Sequence, residues 1–362
     1  MASRTSPRAA FRALGEFLAS SSASGLVPGA VVAVGRAAGP VYHEAFGRRA
    51  LRPRAEAMTL RTIFDLASLT KVMVTAPLVV EDAIRGEYSL DDPLERHLAE
   101  TKGTQVGALP LRLLLTHTAG LVPDNPIEDY RGSKHALFAA IAKEPLAFEP
   151  GTRLVYSDVG FVLLQGVLER RHGRPLARIA EERIFGPSRF RDTRFGVRAG
   201  DRGRTAPTER VRGRWLRGTV HDPRARAAAL RGVGGHAGVF GTAAETARYC
   251  EMILGGGVSG GRRILLEEAV RAMTTNQCDE AVGVRRGYGF DIESPYSSPR
   301  GALFSRNSFG HTGWTGVSLW IDPDEDGYLV LLTNAVHPDG HKDLKAFRAE
   351  AATLAAGALR NG

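Results

Sequence analysis

Hydrophobic residues recur along this chain with two different periods. Gly29 to Val34 and Val41 to Phe46 are apolar and β-branched, with Gly39-Pro40 between them, which predicts the two strands of a hairpin. From Ser68 to about Arg85 the period changes. Leu69, Val72, Met73, Ala76, Val80 and Ala83 fall three and four apart, with one wider step, as on one face of a helix. Pro77 removes a backbone donor inside that helix and is expected to bend it. Ser6-Pro7 reads as a cap and first position of a helix to about Ser20. Pro110 to Leu115 predicts a short helix, and Val159 to Arg171 a longer one stopped by Gly173 and Pro175. Thr242-Ala243-Ala244-Glu245 fits a capping box opening a helix to about Leu254.

Period two returns near the end. Phe309 to Trp314, Gly316 to Asp322 and Tyr328 to Thr333 predict strands, with a turn at Pro323 to Gly327 and a closing amphipathic helix from Ala346 to Leu359. Strands at both ends with helices between predict an α+β fold. Residues 1–86 and 232–362 would form the sheet domain, and residues 87–231 an inserted, mostly helical one.

Composition narrows the class. The chain has 362 residues, 43% of them hydrophobic and 24% charged, which suits a globular protein that needs no disulfide or metal to fold. Cys250 and Cys278 are expected to be free thiols. The longest apolar run, Val72 to Val80, contains Thr75 and Pro77 and is too short for a membrane span. Residues 1–24 show no continuous apolar core of a secretory signal, so a cytoplasmic location is expected. Net charge is +9, yet 14 Arg and 4 acids between Arg183 and Arg231 supply +10 of it, leaving the remainder near neutral. With no nucleic-acid motif there, a solvated Arg-rich face is expected and no nucleic-acid partner.

Three short patterns could carry chemistry. Ser68-Leu69-Thr70-Lys71 opens the apolar helix, placing Lys71 on the same face as Ser68 and Ser68 at the positive end of the helix dipole. A buried Lys could act as base; the bland alternative is a Ser cap with an exposed Lys. Tyr156-Ser157-Asp158 is the only Tyr-x-Asp or Tyr-x-Asn in the chain. Ser157 or Asp158 could simply cap the helix from Val159, but capping leaves Tyr156 unexplained, and a phenol near an ammonium can accept and return a proton. His311-Thr312-Gly313 lies on a predicted strand, where Gly313 would allow close approach to a substrate. Trp314 could then offer its backbone N–H beside that of Ser68 as an oxyanion hole.

Taken in order, these patterns resemble the serine β-lactamase and penicillin-binding-protein superfamily, in particular its class C type, which includes D-alanyl-D-alanine peptidases, D-amino-acid peptidases and carboxyl esterases. Phe64-Asp65-Leu66-Ala67, Leu114 to Leu121 and Gly234-Gly235-His236-Ala237-Gly238 are also similar to that group. The resemblance implies a central antiparallel sheet flanked by terminal helices, an inserted helical domain, and a cleft between them. It implies a covalent acyl-enzyme hydrolase of small-molecule esters or amides, without cofactor or metal. Ser68 would be the nucleophile, Lys71 and Tyr156 the proton-handling pair, and His311 to Gly313 the strand beside the substrate.

Two positions depart from that pattern. Asp158 stands where class C enzymes usually have Asn, and a carboxylate there favours protonated Lys71 and points to Tyr156 as base. His311 stands where β-lactamases usually have Lys. An ordinary His, with a pKa of about 6.5, would attract a substrate carboxylate only at lower pH. Esterase or D-amino-acid peptidase-like activity is therefore expected ahead of true β-lactamase or D-alanyl-D-alanine carboxypeptidase activity. A non-catalytic binding protein on the same fold is the alternative from another class. Ser259, in Gly257-Val258-Ser259-Gly260-Gly261, reads as a turn; His117 and His221-Asp222 read as loop hydrogen-bonders; His236 could border the site.

Overall fold

Alternate residues of the strand Gly29–Arg36 (β1) enter two separate hydrophobic cores. Val31 and Ala33 join the larger core, while Ala30, Val32 and Val34 join the smaller one on the opposite face. A strand buried on both faces reads as an unbroken apolar run. The computed structural model describes residues 7–361. Around β1, Gly39–Ala50 (β2), Glu56–Ala57 (β3), Arg285–Arg286 (β4), Asp291–Glu293 (β5), Phe309–Thr312 (β6), Ser318–Asp322 (β7) and Gly327–Thr333 (β8) build one antiparallel sheet. Its order is β4-β5-β6-β7-β8-β1-β2-β3. The two ends of the chain meet at its centre, where Ala30 pairs with Thr333 and Gly35 with Tyr328. The fold is α+β with this sheet at its centre.

The smaller core lies under the helices Arg12–Ala23 and Lys345–Asn361, through Leu14, Leu18, Ala351 and Ala355. The expected first helix is two pieces, Pro7–Ala10 and Arg12–Ala23, and Ser6 lies outside the described residues. On the other face, the larger core takes in the helix that follows Ser68 and the helix Ala243–Leu254. Among the described residues, no helix is long and apolar enough to cross a membrane.

Three local expectations change. Pro77 is accommodated by a wide turn: Lys71–Thr75 is π-helical and Ala76–Ile84 continues as α-helix. The Ala76 N–H donates to the Lys71 carbonyl five residues back, so in that register Pro77 leaves the Val72 carbonyl without its donor. The Tyr249 hydroxyl supplies one at 2.5 Å. The capping box at Thr242 is only half formed. Thr242 accepts from the Glu245 N–H, but the Glu245 carboxylate turns away to accept from the N–H groups of Arg191, Asp192 and Thr193. The Arg-rich stretch is not simply a solvated face either. Arg217 forms a two-pronged pair with Glu56 across 161 residues of sequence, holding that carboxyl down at about 2, and Arg204 pairs with Asp192 and Asp201.

A second, three-stranded sheet escaped sequence reading because its strands, Phe64–Asp65, Val239–Gly241 and Arg194–Phe195, are too short to show a period. It pairs Asp65 with Phe240 and brings the Gly-rich loop before Val239 against the segment that leads into Ser68.

Candidate active site

Ser68 follows a residue in an unfavourable conformation. Ala67 has φ +48°, in the left-handed region that residues with a β-carbon avoid. Its N–H donates to the Asp65 carboxylate at 2.9 Å, which holds the turn. One turn on, the buried Lys71 ammonium makes two hydrogen bonds and one ion pair. Ser68 Oγ and the His236 carbonyl each lie 3.1 Å away, and the Asp158 carboxylate lies 2.6 Å away. Burial alone would lower the Lys71 pKa, but the Asp158 charge and Tyr156 outweigh it and raise it above the usual value. At rest Lys71 is an ammonium, the form that a carboxylate at position 158 was expected to favour, and not the free base that burial alone would give.

Asp158 reaches Lys71 because it occupies the first turn of the helix Asp158–His172, with Ser157 as the cap that accepts from the Gly160 N–H. Tyr156 is held by His117. The His117 ring stacks on it at 4.3 Å between centroids, the His117 carbonyl accepts the Val155 N–H, and its Nδ1 accepts the Ser157 N–H. The Lys71 ammonium stands 5.0 Å from the centre of the Tyr156 ring. Burial, with Asp158 adding to it, raises the Tyr156 pKa although Lys71 opposes. At rest Tyr156 is therefore a phenol, which can relay a proton between its neighbours.

His311 is buried in β6, its ring 5.9 Å from that of Tyr156. Its Nδ1–H donates to the Thr312 carbonyl at 2.7 Å, which leaves Nε2 as a lone-pair acceptor. Burial, reinforced by Lys71 and Arg286, pushes its pKa well below the ordinary value. His311 is thus a neutral group, and the expected titration near 6.5 does not apply to it.

The strand ends at Thr312, so Gly313 and Trp314 belong to the turn that follows. A β-carbon at Gly313 would stand 2.6 Å from Val317 and 3.0 Å from the Ala67 β-carbon. Glycine here makes room for the nucleophile turn, and Gly313 also lines the cleft. The N–H groups of Ser68 and Trp314 have no hydrogen-bond partner among the described residues. Behind them, Arg348 donates to the carbonyls of Gly313 and Val317.

These side chains share one cleft of about 640 Å³, whose walls include Ser68, Tyr156, Asp158, His311, Thr312, Gly313 and Trp314. Its rim carries two exposed aromatics, Tyr296 and Trp314, and the Trp314 ring stacks on His341. Sequence reasoning gave the Ser, Lys, Tyr and His. It set aside His221-Asp222 and held His236 loosely, yet all three line the same cleft. Asp158, Asp222 and His236 place one ligand atom each within 4.8 Å of one another. The Lys71 ammonium already stands against this cluster as its cation. Ser259 lines a different hollow, with His43 and Met252.

Residues 8–353 match the family model described as Beta-lactamase. The chain belongs to the beta-lactamase family. Membership of that family makes it a serine hydrolase of the β-lactamase and penicillin-binding type. An Escherichia coli K12 protein carrying the name D-alanyl-D-alanine carboxypeptidase is 28% identical over 306 residues, 77% of this chain and 70% of that protein. A Bacillus subtilis protein named N-acetylmuramyl-L-alanine amidase is 29% identical over 328 residues, 82% of this chain and 73% of the other. Among solved structures, EstCE1, described as a hydrolase with promiscuous acyltransferase activity, superposes with a TM-score of 0.78 at 20% identity, covering 96% of this chain and 99% of that one. A class C beta lactamase superposes with the same TM-score at 19% identity, covering 99% of both chains. At such identities these structures speak for the fold of the beta-lactamase family alone.

Proposed function

We propose that this beta-lactamase-family protein hydrolyses esters or amides through an acyl-enzyme on Ser68. The observation that carries the reading is the three-way grip of Lys71 on Ser68 Oγ, Asp158 and the His236 carbonyl at the floor of the cleft. The sheet and the inserted helical segment form the two walls of that cleft.

The proton route follows from who holds charge at rest. As the substrate carbonyl settles towards the free N–H groups of Ser68 and Trp314, Lys71 passes a proton to Asp158. The resulting amine takes the Ser68 hydroxyl proton while Oγ bonds to the carbonyl carbon. Collapse of the tetrahedral adduct breaks the bond to the leaving group, which takes the proton from Lys71 by way of the Tyr156 hydroxyl, and Asp158 returns its proton to Lys71. Water then attacks the acyl-enzyme by the same route in reverse, releasing the acid and restoring Ser68.

Neutral substrates fit this cleft better than carboxylate-bearing ones, because His311 offers a lone pair where an anion needs a cation. Strong β-lactamase activity is therefore not expected. Amide cleavage of the peptidase or amidase kind is the second reading, favoured by the names of the E. coli and B. subtilis relatives. A screen across short-chain esters, D-amino-acid amides and a chromogenic cephalosporin, with Ser68→Ala as control, separates these readings. Turnover equal in the wild type and Ser68→Ala would overturn all of them.

A further inference from the structure

Two adjacent residues outside the recognised motifs reach the Ser-x-x-Lys turn from two sides. The first is His221. Its backbone N–H donates to the Asp65 carboxylate at 2.7 Å and its ring Nδ1 lies 3.2 Å from the same oxygen. The other oxygen of Asp65 is the one that accepts the Ala67 N–H, and the Asp65 carbonyl accepts the Thr315 hydroxyl at 2.8 Å. Asp65 is buried, so its carboxylate depends on these donors. It ties the strained residue before Ser68 to His221 on one side, and its backbone ties it to the turn after Gly313 on the other.

The second is Asp222. One of its oxygens caps the short helix Pro223–Arg226 through the Ala225 N–H at 2.6 Å and also lies 3.0 Å from His236 Nε2. His236 is buried, and its carbonyl is one of the two hydrogen-bond acceptors of the Lys71 ammonium. The carbonyl just before it, of Gly235, accepts the Thr75 hydroxyl one turn further along the same helix. His221 thus bears on the nucleophile turn through Asp65, and Asp222 bears on the lysine through His236.

The geometry points to His221 and Asp222 as positioning residues. His221 fixes the Ala67 turn that aims Ser68 Oγ into the cleft, and Asp222 fixes the His236 carbonyl that holds Lys71 beneath Ser68. This inference rests on the reading of Ser68 as nucleophile. It adds that the machinery is completed by a pair of residues far downstream in sequence. Sub-ångström aim matters here, because misplacing a reacting group by about 1 Å costs on the order of 100-fold in rate.

The test compares disruptive with conservative variants. His221→Ala keeps the backbone N–H bond and removes the ring, whereas His221→Asn places an amide N–H where Nδ1 stood. Asp222→Ser keeps a capping oxygen but is too short to reach His236, whereas Asp222→Asn spans both contacts. Two quantities are read: the second-order rate at which a small fluorophosphonate labels Ser68, and the kcat and KM for a short-chain ester. His221→Ala and Asp222→Ser should slow labelling and lower kcat by about 10- to 100-fold with KM near the wild-type value. The Asn variants should recover most of that loss. Should His221→Ala fail to fold, the Asp222 pair carries the same comparison. Folded disruptive variants that label at the wild-type rate would overturn the inference, as would Asn variants no faster than the disruptive ones. A wild type that does not label at Ser68 would instead remove the nucleophile reading itself.

Discussion

The Asp158 carboxylate stands 2.6 Å from the Lys71 ammonium, so the lysine of the Ser-x-x-Lys motif rests in its charged form. Each member of the pair sets the role of the other. An Asn at position 158 could orient the lysine but could not take its proton.

Asp158→Asn tests that difference through pH. Losing the carboxylate removes the proton acceptor, so kcat/KM for a neutral ester at pH 7 should fall by about 100-fold or more. It also removes the charge that does most to raise the Lys71 pKa, so the lowering effect of burial counts for more. Neutral amine then forms at lower pH than in the wild type, and the variant should regain activity as pH rises. Profiles from about pH 6 to about pH 10 should be flat at their lower end in the wild type and climbing in the variant. Superimposable profiles would remove Asp158 from proton transfer.

Lys71→Arg keeps the positive charge beside Asp158 but cannot release a proton. Turnover should drop nearly as far as in Lys71→Ala, by about 100-fold or more. Near-normal turnover in Lys71→Arg, measured with the same ester, would reduce Lys71 to a fixed charge.

His311 is neutral because of where it is buried and which cations face it, and its one ring N–H is committed to Thr312. The ratio of kcat/KM for an anionic substrate to that for a neutral ester should therefore show no step near the ordinary His pKa of about 6.5. His311→Lys should raise that ratio by adding a cation at this position of the strand. A wild-type ratio that falls as pH rises through that value would mean that His311 does titrate and does read carboxylates.

Tyr249 and Val72 make a prediction about the scaffold. Tyr249→Phe strips the Val72 carbonyl of the donor that stands in for the one Pro77 lacks. The buried carbonyl left unpaired should cost about 1–3 kcal/mol in denaturant unfolding. Adding Pro77→Ala, which restores a backbone N–H, should recover part of that loss; equal stability of the single and double variants would count against the pairing.

What the sequence revealed and what it hid follow from separation along the chain. Ser68 and Lys71 are one helical turn apart, and Tyr156 and Asp158 flank a helix cap, so local spacing was enough to find them. The sheet was legible because β1, β7 and β8 are long enough to show their apolar character. The Asp65–His221 contact spans 156 residues and the Tyr249–Val72 contact 177, and no local period signals either. Glu245 shows the same limit in reverse: its motif predicts a local bond, and a distant segment with three free N–H groups wins the carboxylate. The charge state of His311 was hidden too, since Lys71 and Arg286 meet it only in the folded chain.

The acyl-enzyme is the central claim, and intact-mass spectrometry tests it most directly. Wild-type protein treated with a fluorophosphonate or a penicillin-like probe should gain the mass of one adduct, and peptide mapping should place it on Ser68. Ser68→Ala, folded as judged by its unfolding transition, should gain none. An adduct on another residue such as Ser259, or an equal adduct on Ser68→Ala, would contradict the account.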